Sequence, residues 1–327
     1  MSTILPPRSA HDLLAALLSG TLSRSESEEY FLALVSQPIS AEILLDCVKV
    51  LRKKMVPVSL CADAIDTAGT GGSGLSTINT STLTAFIVAA AGGKVAKHGN
   101  RSASGNCGCF DLLEELGVNI HLDPAQERRI FERLGIVFLF APLHHLPLRL
   151  LATLRKSYGE KTLFNLMGPL CNPAGVTRQM IGTGNDADAQ LIAKTLHALG
   201  SFGSIVVTGH DGLDEVTVTA ATTVRHISEN GVRTKEFSPA SLSLPPAFPF
   251  EIIGGNAREN VQLFLELAQG KGTAAMENLV LLNAAHALIL AKLSPSIQEA
   301  FLLAREILAS GSVHRLFERY REFTHQS

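Results

Sequence analysis

The sequence predicts an α/β protein: a small all-helical N-terminal domain, residues 1–61, ahead of a larger α/β domain, residues 62–327, with a mostly parallel central sheet. Three observations carry this. Residues 8 to about 60 place apolar side chains at helical spacing, with no strand-like alternation. From Ala62, short apolar runs alternate with helical stretches and glycine-rich turns, the order that builds parallel strands with helices on both faces. Two polar, glycine-rich segments, GTGGSGLSTINTST (Gly69–Thr82) and KHGNRSASG (Lys97–Gly105), sit among those turns, and open α/β sheets bind ligands at the carboxyl ends of their strands.

Taken in order, Ser9 to Asp12 precede Leu13, Leu14, Leu17 and Leu18, and Gly20 closes a first helix. The acidic stretch Ser23–Glu29 opens a second, which carries Phe31, Leu32, Leu34 and Val35. Ser40 caps a third over Ala41–Lys54, with Ile43, Leu44, Cys47, Val48 and Leu51 on one face. Strands are expected at Lys94–Ala96, Ile136–Phe140, Gln179–Gly182 and Ser204–Thr208. Helices are expected at Thr82–Ala91, Phe110–Leu116 and Ala187–Leu199, and Pro239–Pro249 reads as a proline-rich loop. Ser81-Thr82 before the Leu83–Ala91 run and Gly92-Gly93 after it read as the two caps of one helix.

Composition narrows the function. Charged residues are 18% of the chain against a typical ~25%, which suits a well-buried, enzyme-like core. The 28 Lys and Arg nearly balance the 30 Asp and Glu, and no basic run suggests a nucleic-acid partner. The start, MSTILPPRSAHDLL, lacks the basic and apolar regions of a signal peptide, and Leu83–Ala91 and Leu279–Leu293 are too short or too interrupted to span a bilayer. Five cysteines without regular spacing fit a reduced, cytoplasmic setting.

The two polar segments read as a phosphate cradle. The first offers backbone N–H groups, the amide of Asn79 and the hydroxyls of Thr80, Ser81 and Thr82. The second adds the cations Lys97 and Arg101, with His98, Gly99 and Asn100 between them, and then the small residues Ser102 to Gly105. Alone, Ser81-Thr82 reads as an ordinary cap, a lone lysine as surface charge and a lone histidine as structural. The GTGG turn tips the balance, because it lets backbone approach an anion at a helix N-terminus. Asp214-Glu215, after the strand Ser204–Thr208 and a tight turn, would ordinarily be a solvated pair; beside a phosphate cradle it suits a hard cation such as magnesium. Cys107-x-Cys109 has no partner pair at zinc-ligand spacing and reads as loop, as does His144-His145.

With these segments, the chain resembles the anthranilate phosphoribosyltransferase family over nearly its whole length. DLLEELGVNI (Asp111–Ile120), FLFAP (Phe138–Pro142), TLFNLMGPLCNPA (Thr162–Ala174), GHDGLDEV (Gly209–Val216) and GGNARENVQLFLELAQGKG (Gly254–Gly272) carry the resemblance in this order. It implies a helical domain, joined by a helical segment near residues 146–165 and hinged to a phosphoribosyltransferase-like α/β domain, and a homodimer formed through the helical part. It implies transfer of phosphoribose from phosphoribosyl pyrophosphate to anthranilate, with Mg2+ as cofactor. By the same resemblance Gly69, Gly72, Ser73, Thr77, Asn79, Thr80, Ser81, Thr82, Lys97, His98, Gly99, Asn100, Arg101, Ser102, Ala103, Ser104, Gly105 and Cys109 line the phosphoribosyl pyrophosphate site. Gly69, Asn100 and Arg155 line the anthranilate site; Ser81, Asp214 and Glu215 hold the metal; Lys97, Asp214 and Glu215 serve catalysis.

The chain departs from the family pattern at Ser73, where an acid is usual, and at Gly105, Cys107, Cys109 and Phe110, where serines are more frequent. A thiol is a weaker donor than a hydroxyl, so Cys109 is expected to weaken a phosphate contact. Two other readings share parts of this pattern. A pyrimidine nucleoside phosphorylase has the architecture and a glycine-rich phosphate loop, but KHGNR and Asp214-Glu215 argue against it. A non-catalytic relative binding nucleic acid would need a basic surface.

Overall fold

The computed structural model describes residues 9–71, 77–102 and 107–326. Three helices open the described chain: α1 (Ala10–Leu17), α2 (Arg24–Val35) and α3 (Ala41–Lys54), with Ser9, Ser23 and Ser40 as their N-caps. There follow β1 (Ile65–Gly69), α4 (Thr80–Ala90), β2 (Val95–Gly99), α5 (Cys109–Glu115), α6 (Pro124–Leu134) and β3 (Ile136–Phe140). A short α7 (Ala141–His144) and a 3₁₀ helix (Leu146–Leu151) lead to α8 (Ala152–Tyr158) and α9 (Leu163–Leu170). Then come β4 (Arg178–Gly182), α10 (Asp186–Ala198), β5 (Ile205–Gly209), β6 (Thr222–Ser228) and β7 (Gly231–Phe237). The helices α11 (Ala257–Ala268), α12 (Ala274–Leu290), α13 (Ile297–Ala309) and α14 (Ser312–Phe323) complete the chain.

The sheet runs β3-β2-β1-β4-β5-β6-β7, parallel from β3 to β5 and antiparallel at β6 and β7. Side chains alternate between its faces, as strand geometry requires. Ile136, Phe138 and Phe140 of β3, Met180 of β4 and Ile205 and Val207 of β5 join one core with α4 and α11–α14. Ile181 and Val206 face a second core, built from α1–α3, α9 and α10. On β3, Val137 and Leu139 turn away from the first core to join Val58, Ala96 and Phe131. α4 is buried almost all round, the mark of a helix wedged between a sheet and other helices.

Strand order reverses between β1 and β4, so a crevice opens at their carboxyl ends. Glycines line that edge: β1, β2, β4 and β5 end at Gly69, Gly99, Gly182 and Gly209. Two of them are needed for space. A Cβ on Gly69 would stand 2.7 Å from Asp214 Oδ2, and one on Gly182 would collide with the Asp214 carbonyl.

Several expectations need correction. Thr80 already lies in α4 and Asn79 holds the N-cap position without a side-chain bond, so Ser81 and Thr82 belong to the first turn and are not caps. At the other end the C-cap is Ala91, and the left-handed residue after it is Gly92, with φ 91°. Lys97 and His98 do not follow their strand but lie within it. His144 and His145 are buried, not surface loop. The strand β1 and the hairpin β6–β7 are additional to the expected set.

Candidate active site

Asp214 and Glu215 sit over the crevice between β1 and β4. Asp214 Oδ2 accepts the backbone N–H of Gly71 at 3.2 Å, which ties the acidic loop to the glycine turn after β1. Glu215 Oε1 accepts the Thr77 hydroxyl at 3.4 Å, while its Oε2 is shut off from solvent with no partner among the described residues. Burial, with Asp214 adding to it, pushes the Glu215 carboxyl up to about 8. The two acids open onto a cleft lined also by Thr67, Gly69, Ser81 and Thr84.

Thr84 carries a second orphan, its buried Oγ1. A threonine inside a helix commonly folds back onto the carbonyl four residues earlier, and this one does not. Ser81 and Thr84 are three residues apart and share a helix face towards the cleft. Asn79 is occupied elsewhere: its Nδ2 donates to the Cys107 carbonyl and its Oδ1 accepts from Asn260. Thr82 donates to the Cys109 sulfur at 3.3 Å, and burial raises that thiol.

The neighbouring strand β2 is held by a buried polar network. Asp66, fully buried on β1, accepts the His98 backbone N–H at 3.2 Å and the side-chain amides of Asn172 at 2.7 Å and Gln179 at 3.4 Å. Burial pushes its carboxyl up to about 6, against the opposing pull of Lys97. Lys97 is only 2% exposed and donates to the Thr67 carbonyl, so its charge is fixed beneath the crevice rather than solvated. His98 meets His145 at 3.3 Å between their Nε2 atoms, and His144 binds Glu127 at 2.9 Å. Burial, then the neighbouring imidazoles, hold His98 well below its ordinary value; burial and His144 bring His145 to about 4.

The remaining predicted residues lie around this centre. Asn100 accepts the Arg101 backbone N–H, and Arg101 itself grips Glu114 through two 2.7 Å bonds while lying 4.8 Å over the Phe140 ring. Ser102 donates its backbone N–H to Asp111. Gly99 packs against Phe110. Half-buried on α8, Arg155 stacks 5.2 Å over Phe164 and has no acid partner among the described residues. Gly72, Ser73, Ala103, Ser104 and Gly105 lie outside the described residues. Sequence reasoning named His98 but missed Asp66, Thr67, Thr84, Asn283, His144 and His145 at this centre; an acid inside a short apolar strand is the one signal that points to Asp66.

The donor set fits a hard cation held jointly with phosphate. Among the described residues no three His, Cys, Asp or Glu side chains form a metal cage by themselves. Two carboxylates, one with an orphaned oxygen, are the kind of partial donor set that a hard cation shares with phosphate oxygens.

Comparison with known proteins defines the class first. Residues 61–314 match the model of the glycosyl transferase family, a/b domain. The chain is 38% identical over 314 residues to the anthranilate phosphoribosyltransferase of Acetivibrio thermocellus, covering 96% of this chain and 91% of that one. It is 39% identical over 297 residues to the enzyme of Rhodopseudomonas palustris, covering 91% and 87%. The crystal structure of anthranilate phosphoribosyltransferase from Thermus thermophilus matches with a TM-score of 0.88 at 34% identity, covering 96% of this chain and 94% of that one. The Saccharomyces cerevisiae enzyme, in complex with PRPP and Mg, matches with 0.87 at 26% identity, covering 97% and 93%. The chain belongs to the anthranilate phosphoribosyltransferase family.

Proposed function

We propose that the protein transfers the 5-phosphoribosyl group of phosphoribosyl pyrophosphate to the amine of anthranilate, giving N-(5-phosphoribosyl)anthranilate and pyrophosphate, a step of tryptophan biosynthesis. The observation that carries the reading is the Asp214–Glu215 pair, with an orphaned oxygen, at the glycine-edged switch point beside the N-terminus of α4. In the reaction the bond from the anomeric carbon to pyrophosphate breaks and a bond to the amine nitrogen forms, with inversion and no covalent enzyme intermediate, and the nitrogen then gives up one proton to water or to the departing pyrophosphate. An aromatic amine is uncharged at neutral pH, so the lone pair is free and no strong base is required.

The chain's task is then to position two substrates and receive the charge of the leaving group. Backbone N–H groups of the turn after Gly69 and of the first turn of α4, with the Ser81 and Thr82 hydroxyls, would cradle the phosphates. Lys97, fixed under the crevice, would favour the developing anion. Ser81, Asp214 and Glu215 would hold magnesium directly or through water. When bound, magnesium neutralises charge on the leaving pyrophosphate. Arg155, which lacks an acid partner among the described residues, would take the anthranilate carboxylate in its planar fork, with Asn100 and Gly69 alongside.

We further propose a homodimer joined through the helical part, where Leu32 of α2 and Leu146 and Leu150 of the 3₁₀ helix are exposed, and a cytoplasmic setting. Residues 1–61 with the segment near 146–165 would form that part, and 62–327 the phosphoribosyl-binding part. The described residues include no helix long and apolar enough to cross a membrane. The test is the loss of anthranilate fluorescence on mixing with phosphoribosyl pyrophosphate, with and without magnesium; the chain has no Trp, so background emission is low. Magnesium-dependent decay is expected, and a folded sample without decay would sink the assignment.

A further inference from the structure

The segment that carries Asp214 and Glu215 has no helix or strand of its own between β5 and β6, so something else must fix where the two carboxylates point. Leu213 and Val216 are fully buried and pin its flanks by packing. The polar fixing falls to Asp211 and Asn283. Asp211 folds back over the turn: Oδ1 accepts the Leu213 backbone N–H at 3.1 Å, and Oδ2 accepts the hydroxyls of Thr217, at 2.6 Å, and Thr219. Those hydroxyls meet each other at 2.9 Å, so one carboxylate staples the chain on both sides of the acidic pair. A side chain at Gly209 would collide with Asp211 Oδ1, which makes glycine a condition of this fold-back. From the opposite side Asn283 of α12 closes on Val216, accepting its N–H at 3.0 Å and donating to its carbonyl at 2.9 Å.

Three acids therefore lie within five residues and differ in one respect. Both oxygens of Asp211 are engaged by donors of its own loop, whereas Glu215 keeps an orphaned oxygen. We propose that Asp211, assisted by Asn283, is a positioning residue that aims Asp214 and Glu215 at the cation, without itself serving as a ligand. This rests on the reading of that pair as the metal holder. A side chain that orients a ligand from outside the coordination shell ordinarily governs affinity about 10–100-fold.

The test reads the binding of Mn2+ in the presence of inorganic pyrophosphate, by electron paramagnetic resonance titration, alongside thermal unfolding without ligands. Asp211→Ala is expected to weaken Mn2+ binding at least about tenfold. Asp211→Asn keeps an acceptor for Leu213 and is expected to recover most of the loss. Thr217→Val, which removes one hydroxyl donor, gives a smaller loss in the same direction and serves if Asp211→Ala does not fold. In the steady state, the magnesium concentration for half-maximal rate should rise while the KM for anthranilate holds. If Asp211→Ala and Thr217→Val bind Mn2+ like the parent while Asp214→Asn with Glu215→Gln loses it, the positioning role is overturned. If that double variant also binds like the parent, the reading of the pair as metal holder is what fails.

Discussion

Asp66, buried, and Glu215, half-buried with one oxygen shut off from solvent, are carboxylates beside the same crevice, and both are pushed towards the protonated form by burial. They differ in what surrounds them. Asp66 accepts a backbone N–H and two side-chain amides; Glu215 has a long bond to Thr77 on one oxygen and no hydrogen bond among the described residues on the other, the neighbouring Thr80 hydroxyl being turned to the Ile78 carbonyl. A buried acid saturated with donors shapes the protein around it. One left short of donors is a standing cost to the fold, retained where a ligand relieves it. The contrast separates a scaffold from a site inside a single polar region.

The largest expected effect tests the unsaturated side. Asp214→Asn together with Glu215→Gln should lower kcat by about 10²–10³ at limiting magnesium, the scale of losing electrostatic stabilisation of a leaving group. Because burial already holds Glu215 towards its neutral form, the neutral amide replaces it without loss of a well-bonded charge, and the melting temperature should hold or rise. A parallel fall in melting temperature would mean that Glu215 is scaffold after all.

Asp66→Asn should do the reverse. The new amide keeps one acceptor oxygen, so its NH2 must face either the His98 N–H or the Asn172 and Gln179 amides, all of which already donate. Destabilisation of about 1–3 kcal/mol in urea unfolding is expected, the range for leaving a buried polar group without its partner. Lys97 and His98 on β2 would lose their register against β1, so activity should fall with stability. A stable, inactive variant would instead put Asp66 in the chemistry.

How much of this was legible depended on how loudly each residue broke a local rule. β3 is all apolar and reads directly as Ile136–Phe140, and α10 reads within a residue of its observed bounds. β1, with the sequence IDTAG, hides because Asp66 and Thr67 interrupt its apolar run, and the tertiary network that makes Asp66 tolerable lies more than a hundred residues away. β7 is an exposed edge strand with little apolar pattern, although Asn230-Gly231 between two β-branched runs is a hairpin signal. In the site, Asp214-Glu215 and Lys97 stand out by charge beside glycine. Thr84 and Asn283 look like ordinary helix residues until the cleft they line is visible.

Arg155 extends the comparison to a cation. Arg101 is saturated by Glu114, whereas Arg155 has an aromatic face and no acid among the described residues. Arg155→Ala should raise the KM for anthranilate about 10–100-fold, as expected for a charge-assisted pair worth about 1.5–3 kcal/mol, and leave that for phosphoribosyl pyrophosphate nearly unchanged. Equal changes in both would remove it from the anthranilate site.

The smallest effect sharpens the comparison through pH. Asp66 carries a folded value of about 6, above its ordinary 3.8, so between those limits the native state holds a proton that the unfolded chain has lost. Its carboxylate therefore costs stability above about pH 6, and that cost disappears as pH falls towards 4. His145, brought from 6.5 to about 4, behaves oppositely: the unfolded chain takes up the proton first, so its neutral burial costs stability as pH falls through that window. Relative to the parent, His145→Gln should gain stability on acidification from pH 6 to 5, and Asp66→Asn should lose it. Each slope should approach about 1.4 kcal/mol per pH unit, measured from urea midpoints at each pH. Parallel curves for parent and variant would show that the replaced group keeps its solution titration and is not part of the buried network.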